Sequence, residues 1–376
     1  MSKIKLLIAP NSFKECADAI EIADGIKKHF TEPEFQVKSI PISDGGDGFL
    51  EICQSNFLLE TVTREIQSFY DESLFQIPIG ISINHKKIYL ESAEIIGMKK
   101  IPLEKRNPLI LNSKNLGMLL LELEKEFSSC KKIIFGLGGT ATNDLGLGLC
   151  IPFGLKLFNK KGVELPVQPK YFADVASIIL PEKKFSLSLE VITDVKIPLY
   201  GSVGTSKTFA EQKGATKKEI EILEKGVKNI ISILRKEHRI DFSSKLIGAG
   251  GGLLLGLSLV ADPQVIYAEE FLLKDLQLEQ EIEKADFIIT GEGSFDEQSM
   301  MKKGTGILIR LAKKHNKKIF LVCGRFHPVD IFQNIPQTKA FSLGKYFKSK
   351  QTSIKNYKIG IEKACGEIKS YILSHP

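Results

Sequence analysis

Five segments of the chain combine glycine with carboxylate, amide, hydroxyl or lysine side chains at points where a strand is predicted to end. They cover residues 10–14, 43–48, 136–144, 193–199 and 290–296. In an open α/β sheet, ligands bind at the carboxyl ends of the strands, where glycine lets backbone N–H groups approach phosphate oxygens. Each segment alone is also typical of an ordinary turn. Because an unpaired buried carboxylate is costly, the five together favour Mg²⁺ bridging nucleotide phosphates, as phosphoryl transfer requires.

The acidic side chains of these segments are the candidates for metal binding and general-base catalysis. Asp194 follows an apolar, strand-like stretch, and Asp44 and Asp296 lie in comparable positions, so these three are the predicted catalytic carboxylates. The alternative for Asp194 and Asp296 is a cap of the next turn or helix. Glu292 lies between two glycines and is harder to explain as a cap, so we predict that it binds metal or ribose. The predicted metal ligands are therefore Asp194, Asp296 and Glu292, which requires that Asp44 and Asp194 face the other two.

Cations and small polar side chains of the same segments are candidates for binding the substrate. Lys14 and Lys213 are predicted to bind a carboxylate or phosphates, with Lys14 counted as catalytic, although a solvent-exposed lysine is the alternative for either. Arg106 precedes a turn that would hold it against a carboxylate. Asn143 is predicted to bind hydroxyl groups, unless it only forms its turn. The predicted substrate and nucleotide contacts are Ser12, Gly45, Gly46, Arg106, Gly138, Gly139, Thr140, Asn143, Lys213, Gly291, Glu292 and Gly293.

Two segments imitate nucleotide-binding motifs of other classes. Gly136-x-Gly138-x-x-Ala141 fits a loose dinucleotide fingerprint, but residues 155–163 hold no acid to bind the ribose. Residues 201–208 approach a Walker A loop, but Ser206 stands where that loop needs glycine. None of the six histidines lies near the five segments, which disfavours histidine-based acid–base chemistry.

The composition is that of a globular protein with 43% hydrophobic and 26% charged residues, and 376 residues predict two domains. Six cysteines without a CxxC pair favour free thiols in a reducing cytoplasm over zinc, with disulfides in a secreted chain as the alternative. No signal peptide is recognisable, and the longest uncharged stretch, 246–261, is shorter than the roughly 20 residues of a membrane span. The net charge of +7 is spread along the chain, so no nucleic-acid partner is predicted.

Apolar periodicity predicts a parallel α/β domain built from both ends of the chain. Strand, helix and strand alternate near the amino terminus and again over residues 286–323, an order typical of a parallel sheet. The middle differs, since 75–83 and 87–90 have the pattern of a hairpin. We predict a Rossmann- or flavodoxin-like domain of residues 1–74 plus 285–376, an inserted α/β domain of residues 75–284, and an active site in the cleft between them.

In chain order, the polar segments resemble the signature segments of bacterial glycerate kinases of the first type. The likeness extends in order from about residue 3 to 326, and residues 138–144 match that family's G-G-[ST]-A-T-N-D throughout. The other similar segments are Ala9–Lys14, Asp44–Gly48, Tyr89–Ala93, Arg106–Leu109, Glu211–Thr216, Gly248–Leu253 and Ile289–Asp296.

This resemblance implies a flavodoxin-like domain, an inserted restriction-endonuclease-like domain, and the use of ATP and Mg²⁺. It implies phosphorylation of D-glycerate, with 2-phosphoglycerate favoured over 3-phosphoglycerate as product. It leaves a homodimer open. Alternatives are a kinase for a related small hydroxy acid, or a catalytically weakened homologue that still binds nucleotide.

The sequence departs from the family pattern at several positions. Asn11 replaces an aspartate in the first segment, Ile197 replaces an asparagine near Asp194, and residues 112–117 lack the family's T-T-Y-G-T-G. Further departures are Glu15, Leu145 and Lys302. The candidate catalytic carboxylates are all retained, which favours an active enzyme.

Overall fold

The computed structural model describes residues 3–13, 16–43, 45–240, 248–302, 304–327 and 337–375, without the side chains at 298, 301 and 302. The chain forms two compact units. Unit 1 contains the described residues within 1–44, 51–58 and 267–376, and unit 2 contains residues 45–50 and the described residues within 59–266.

Both units contain β-strands. They are β1 (Ile4–Ile8), β2 (Phe35–Ser39), β3 (Glu60–Gln67), β4 (Leu74–Ser82), β5 (Lys87–Glu91), β6 (Lys132–Gly136), β7 (Lys156–Asn159), β8 (Glu164–Leu165), β9 (Val175–Ile179), β10 (Ser188–Thr193), β11 (Gln264–Tyr267), β12 (Phe287–Phe295), β13 (Lys318–Phe326) and β14 (Thr338–Ser342).

The described residues also form α-helices in both units. They are α1 (Ala19–Lys27), α2 (Phe49–Asn56), α3 (Ser92–Ile96), α4 (Lys114–Glu126), α5 (Thr205–Phe209), α6 (Lys217–His238), α7 (Ala249–Val260), α8 (Ala268–Lys274), α9 (Leu278–Lys284), α10 (Glu297–Lys302), α11 (Gly304–Lys314), α12 (Lys350–Lys355) and α13 (Tyr357–Ser374).

Unit 1 is built on a five-stranded parallel sheet in the order β2, β1, β12, β13, β14. Numbered within the unit, this is the 2-1-3-4-5 order of flavodoxin-like folds, so the predicted fold class is confirmed. Ligands of such a sheet bind beyond the carboxyl ends of its strands.

Both faces of this sheet are covered. One face packs against α1 and α13, whose apolar residues share a core with alternate strand residues such as Leu6 and Ile8. The intervening residue Leu7 is equally buried, because successive strand residues point to opposite faces, and α9 and α11 also contact the strands.

Unit 2 holds a mixed six-stranded sheet in the order β11, β10, β6, β5, β4, β3 and a small antiparallel sheet of β8, β7 and β9. The predicted hairpin is present as the antiparallel pair β4 and β5, and β5, β6 and β10 are parallel. A separate apolar core, made by residues between Ile66 and Val260, stabilises this unit.

The boundaries of the units differ from the predicted domain boundaries. β3 pairs along its whole length with β4, so residues 59–74 belong to unit 2. Helices α8 and α9 contact α11 and belong to unit 1. Among the described residues, no helix is both long enough and apolar enough to cross a membrane.

Candidate active site

The predicted loop at 290–296 is largely a strand. β12 continues to Phe295, and Glu292 lies beside Cys323 of β13 in the parallel register. Gly291 is fixed by this pairing, because a Cβ atom here would overlap the carbonyl oxygen of Val322. The prediction of a loop was wrong, since strand pairing extended the element beyond the apolar run.

Glu292 and Asp296 are brought together by one hydroxyl group. Ser299 Oγ lies 3.0 Å from Glu292 Oε2 and 3.3 Å from Asp296 Oδ1. Asp296 Oδ1 also accepts a hydrogen bond from the backbone N–H of Ser299 at 3.0 Å, so Asp296 does cap α10, as the alternative stated. Because that cap also holds it near Glu292, the two roles are compatible.

Ser299 is fully buried and is not among the predicted site residues. Its signal is the Asp296-x-x-Ser299 spacing, in which a cap residue and the third helical residue bond reciprocally. Burial, with the nearby Glu292 carboxylate, raises the pKa of Cys323 to about 12. The thiol beside these carboxylates is therefore protonated near neutral pH.

A cavity of about 590 Å³ opens at this end of the unit 1 sheet. Three predicted residues line it, namely Ser12, Glu292 and Gly293. The first loop keeps its turn despite the Asn11 departure, because Asn11 Oδ1 accepts a hydrogen bond from Ser12 N at 2.7 Å. Further polar groups of the wall are not among the predicted contacts, namely Arg325, Lys348, Lys350, Tyr357 and the serines at 294, 342, 349 and 353.

The paired glycines of unit 2 lie against each other. A Cβ atom at Gly138 would be 2.6 Å from the Cα of Gly46, so these two segments need glycine in order to approach. Gly45 and Gly139 have φ values of +87° and +65°, which side chains disfavour. The predicted residues are thus brought together, and close packing accounts for their glycines.

Glu91 fixes the same loop and was not a predicted site residue. Its Oε1 accepts a hydrogen bond from Gly48 N and its Oε2 one from Leu50 N, each at 2.9 Å. The side chain is only 3% exposed, and this burial, with smaller effects of Glu94 and Asp47, raises the pKa of Glu91 to about 7. The start of α2 is therefore held by a carboxyl group that titrates near neutral pH.

Lys213 is buried rather than exposed to solvent. Its Nζ donates hydrogen bonds to the Thr142 carbonyl at 2.6 Å and to Thr140 Oγ1 at 3.2 Å. Burial lowers the pKa of Lys213 to about 7, against the opposing effect of Asp144. Lys213 thus joins the 140–142 segment to the turn before α6.

Buried polar atoms surround Asn143 in unit 2. Asn143 Nδ2 donates to Ser206 Oγ at 3.0 Å. Within the described part of the chain, Asn143 Oδ1, Thr142 Oγ1 and Thr205 Oγ1 are buried without a hydrogen-bond partner.

Arg106 donates a hydrogen bond from Nη2 to the Met98 carbonyl at 2.7 Å. Its buried Nε has no hydrogen-bond partner among the described residues.

Two further predicted carboxylates, Asp194 and Asp44, lie outside the described part of unit 1. Asp194 is exposed directly after β10 and belongs to unit 2. Asp44 and Lys14 lie outside the described residues. The convergence of Asp44 and Asp194 on the other two carboxylates stays a prediction.

The Glu292–Ser299–Asp296 group fits a hard cation, since carboxylate and hydroxyl oxygens are the ligands that Mg²⁺ prefers. A second cluster of Glu279, Glu283 and His315 has ligand spacing. In that cluster, Lys314 Nζ lies 2.6 Å from Glu279 Oε1. Ion pairs therefore explain why these side chains lie together.

Comparisons with known proteins point in one direction. A family model described as the glycerate kinase family matches residues 6–373. A glycerate kinase of Neisseria meningitidis serogroup B is 28% identical, over 99% of this chain and 100% of its own. A glycerate 2-kinase of Escherichia coli K12 is 31% identical over 85% of each chain, and a glycerate kinase of Bacillus cereus is 32% identical over 86% of each.

A solved structure shares the fold. The crystal structure of a protein described as a candidate glycerate kinase 2 from Salmonella typhimurium LT2 matches with a TM-score of 0.74 and 25% sequence identity. The match covers 99% of this chain and 100% of that one.

Proposed function

Because the chain belongs to the glycerate kinase family, whose members phosphorylate glycerate, we propose that it transfers the γ-phosphoryl group of ATP to D-glycerate and yields 2-phosphoglycerate. The observation that carries the proposal is the carboxylate pair Glu292 and Asp296, held by Ser299 at the ligand-binding end of a flavodoxin-like sheet. The name of the Escherichia coli relative, a glycerate 2-kinase, supports the choice of product.

Phosphoryl transfer mainly requires that charge be compensated and that the reacting groups be positioned. Glu292 and Asp296 would hold Mg²⁺, which would neutralise charge on the nucleotide phosphates. Ser299 fixes the distance between the two carboxylates from a fully buried position. The pair is therefore preorganised for a cation.

Asp194 is the proposed acceptor of the proton from the glycerate hydroxyl group. The carboxylates of Glu292 and Asp296 both accept hydrogen bonds from Ser299 Oγ, whereas Asp194 is exposed directly after β10. An exposed carboxylate can take up a proton and release it to solvent in each turnover. The proton-accepting role of Asp194 does not require it to bind the cation.

Unit 2 offers the groups that suit a small hydroxy acid. Arg106 carries a buried Nε that has no partner among the described residues and is proposed to bind the carboxylate. Asn143 Oδ1 is a buried acceptor that also has no hydrogen-bond partner among the described residues, and it is proposed to bind a hydroxyl group. Lys213 is proposed to act through the 140–142 segment that it holds.

Release of ADP from Mg-ATP tests the proposal, with D-glycerate, L-glycerate and tartronate as acceptors. We expect turnover with D-glycerate and a phosphorus–proton coupling in the product that assigns the ester to carbon 2. Turnover only with another acid would establish the alternative substrate. No ADP above background with any acid would refute both and leave the weakened homologue.

Location in the cytoplasm, the absence of nucleic-acid and membrane partners, and a homodimer stay predictions. Sedimentation of the purified chain tests the homodimer, which the kinase reaction itself does not require.

A further inference from the structure

The cavity at the carboxyl ends of β1, β12, β13 and β14 is lined only by residues of unit 1. Its volume of about 590 Å³ is within the range of pockets that enclose ligands of roughly thirty non-hydrogen atoms. That size suits a nucleoside triphosphate. A three-carbon acid would leave most of the space to water.

The charges of the wall favour a polyanion. Among the described residues, three cations, Arg325, Lys348 and Lys350, and one carboxylate, Glu292, line the cavity. Across the part of the chain that the structure describes, Arg325 and Lys348 make no ion pair. Their charges therefore remain available to a ligand, and guanidinium and ammonium groups are common partners of phosphate.

The strand register places Arg325 on the same face of the sheet as Glu292. Arg325 on β13 lies beside Ser294 on β12, two residues after Glu292. Parallel neighbours and residues two apart on one strand share a face of the sheet. A phosphate bound by Arg325 would thus lie close to the cation site of Glu292 and Asp296.

The cavity wall also contains apolar side chains. Leu343, Phe347 and Ile354 line the cavity, with Tyr357 beside them. Phe347 is half-buried, so part of its ring remains open to the cavity. Apolar and aromatic walls are the usual environment of a nucleobase.

We infer that this cavity is the nucleotide site, in which Arg325 and Lys348 bind the phosphates and the apolar side chains of Leu343 and Phe347 hold the base. The inference rests on the proposed use of ATP, and it assigns the small acid to groups elsewhere. It also explains how the carboxylate pair and the nucleotide phosphates come together within one unit.

Cys16 provides a direct probe, because it lines this cavity and is half-buried, whereas the other five cysteines are buried. Burial, with the nearby Glu21, raises the pKa of the Cys16 thiol, so alkylation is best followed above pH 8. The rate of carbamidomethylation of Cys16, measured by peptide mass spectrometry, reports occupancy without any turnover.

We expect MgADP to slow alkylation of Cys16 in the intact chain and D-glycerate alone to leave it unchanged. In Arg325→Ala and Lys348→Ala, the half-protecting MgADP concentration should rise at least about tenfold, as loss of a charge-assisted contact predicts. Lys345→Ala is the matched control, since Lys345 is outside the wall and pairs with Glu367; its protection curve should equal that of the wild type.

Three results would overturn the inference. They are protection by D-glycerate in place of MgADP, no protection by either, and equal MgADP curves for the wild type and both cation variants. Protection by MgADP in a chain that phosphorylates no acid would instead refute the proposed function and leave the nucleotide site standing.

Discussion

Replacing Glu91 by glutamine should change how the stability of unit 2 depends on pH. The buried carboxyl group has its pKa raised from 4.5 to about 7. At about 1.4 kcal/mol per pKa unit, this corresponds to roughly 3 kcal/mol. Between pH 4.5 and pH 7 the folded chain binds more protons at Glu91 than the unfolded chain, so stability falls as the pH rises.

The glutamine variant lacks this titration. From pH 5 to pH 8, the wild type should lose about 2.5 kcal/mol through Glu91, whereas Glu91→Gln should lose none. The variant has a different cost, because its NH₂ group faces the N–H of Gly48 or Leu50, which leaves one buried donor unsatisfied at about 1–3 kcal/mol. Glu91→Gln should therefore be less stable than the wild type at pH 5 and equally or more stable at pH 8.

Thermal unfolding followed by circular dichroism at pH 5, 6, 7 and 8 measures this crossover, since the chain has no tryptophan for fluorescence. For a unit of about 200 residues, 1 kcal/mol shifts the Tm by about 2–4 °C. The difference in Tm between variant and wild type should thus change by about 5–10 °C across this pH range.

Glu94→Gln is the matched control, because Glu94 is more exposed and pairs with Lys100 at 2.7 Å. Asp47, the other nearby carboxylate, pairs with Lys99 at 2.8 Å. The Tm difference of Glu94→Gln from the wild type should change with pH only by the small amount that Glu94 contributes to the raised pKa of Glu91. A Tm difference for Glu91→Gln that changes no more than this would refute the argument that burial controls the titration of Glu91.

Three further predictions concern residues in both units. Asp194→Asn should lower kcat at least about 100-fold with little change in Tm, because Asp194 is exposed; the exposed Asp262→Asn serves as control, and a kcat near that of the wild type would exclude the base role. Ser299→Ala should destabilise unit 1 by about 1–3 kcal/mol and raise the Mg²⁺ concentration for half-maximal activity, whereas Ser294→Ala should not; an unchanged Mg²⁺ requirement would separate Ser299 from cation binding. The wild type should gain about 2 kcal/mol between pH 7 and pH 9 through Lys213, whose pKa is lowered from 10.5 to about 7, because the unfolded chain binds more protons there. Lys213→Met should lack that gain, and parallel pH profiles of Tm for the two proteins would show that Lys213 is not the group responsible.

The parallel sheet was predictable because the order of its strands and helices can be read from short stretches of sequence. Buried apolar runs such as Leu6–Ala9 alternate with helical periodicity, and both ends of the chain repeat that order. The limits of β12 were not predictable in this way. Residues 291–295 are rich in glycine and polar groups. They become a strand only because they pair with β13, up to the pair Phe295 and Phe326. Tertiary pairing overrides local preference in such segments.

The candidate site was predictable where residue type alone indicates chemistry, as for Glu292 and Asp296. Ser299 and Glu91 were missed because their roles come from the groups that they contact. Glu91 binds backbone groups that lie 41 and 43 residues away in the chain. For Lys213, the predicted binding of a carboxylate or phosphates stays a prediction, and its alternative, an exposed lysine, does not hold because the fold buries the side chain.

The glycine-rich segments show how these two kinds of information combine. Gly251 has a φ of +74°, and a Cβ atom there would overlap the carbonyl oxygen of Thr142. That glycine is therefore required for packing of α7 against the 142–144 segment. The same close approach buries Thr142 and Asn143 completely, with side-chain oxygens that lack partners among the described residues. Packing and binding are thus not competing explanations, because the glycines create the buried environment in which such polar atoms can select a ligand.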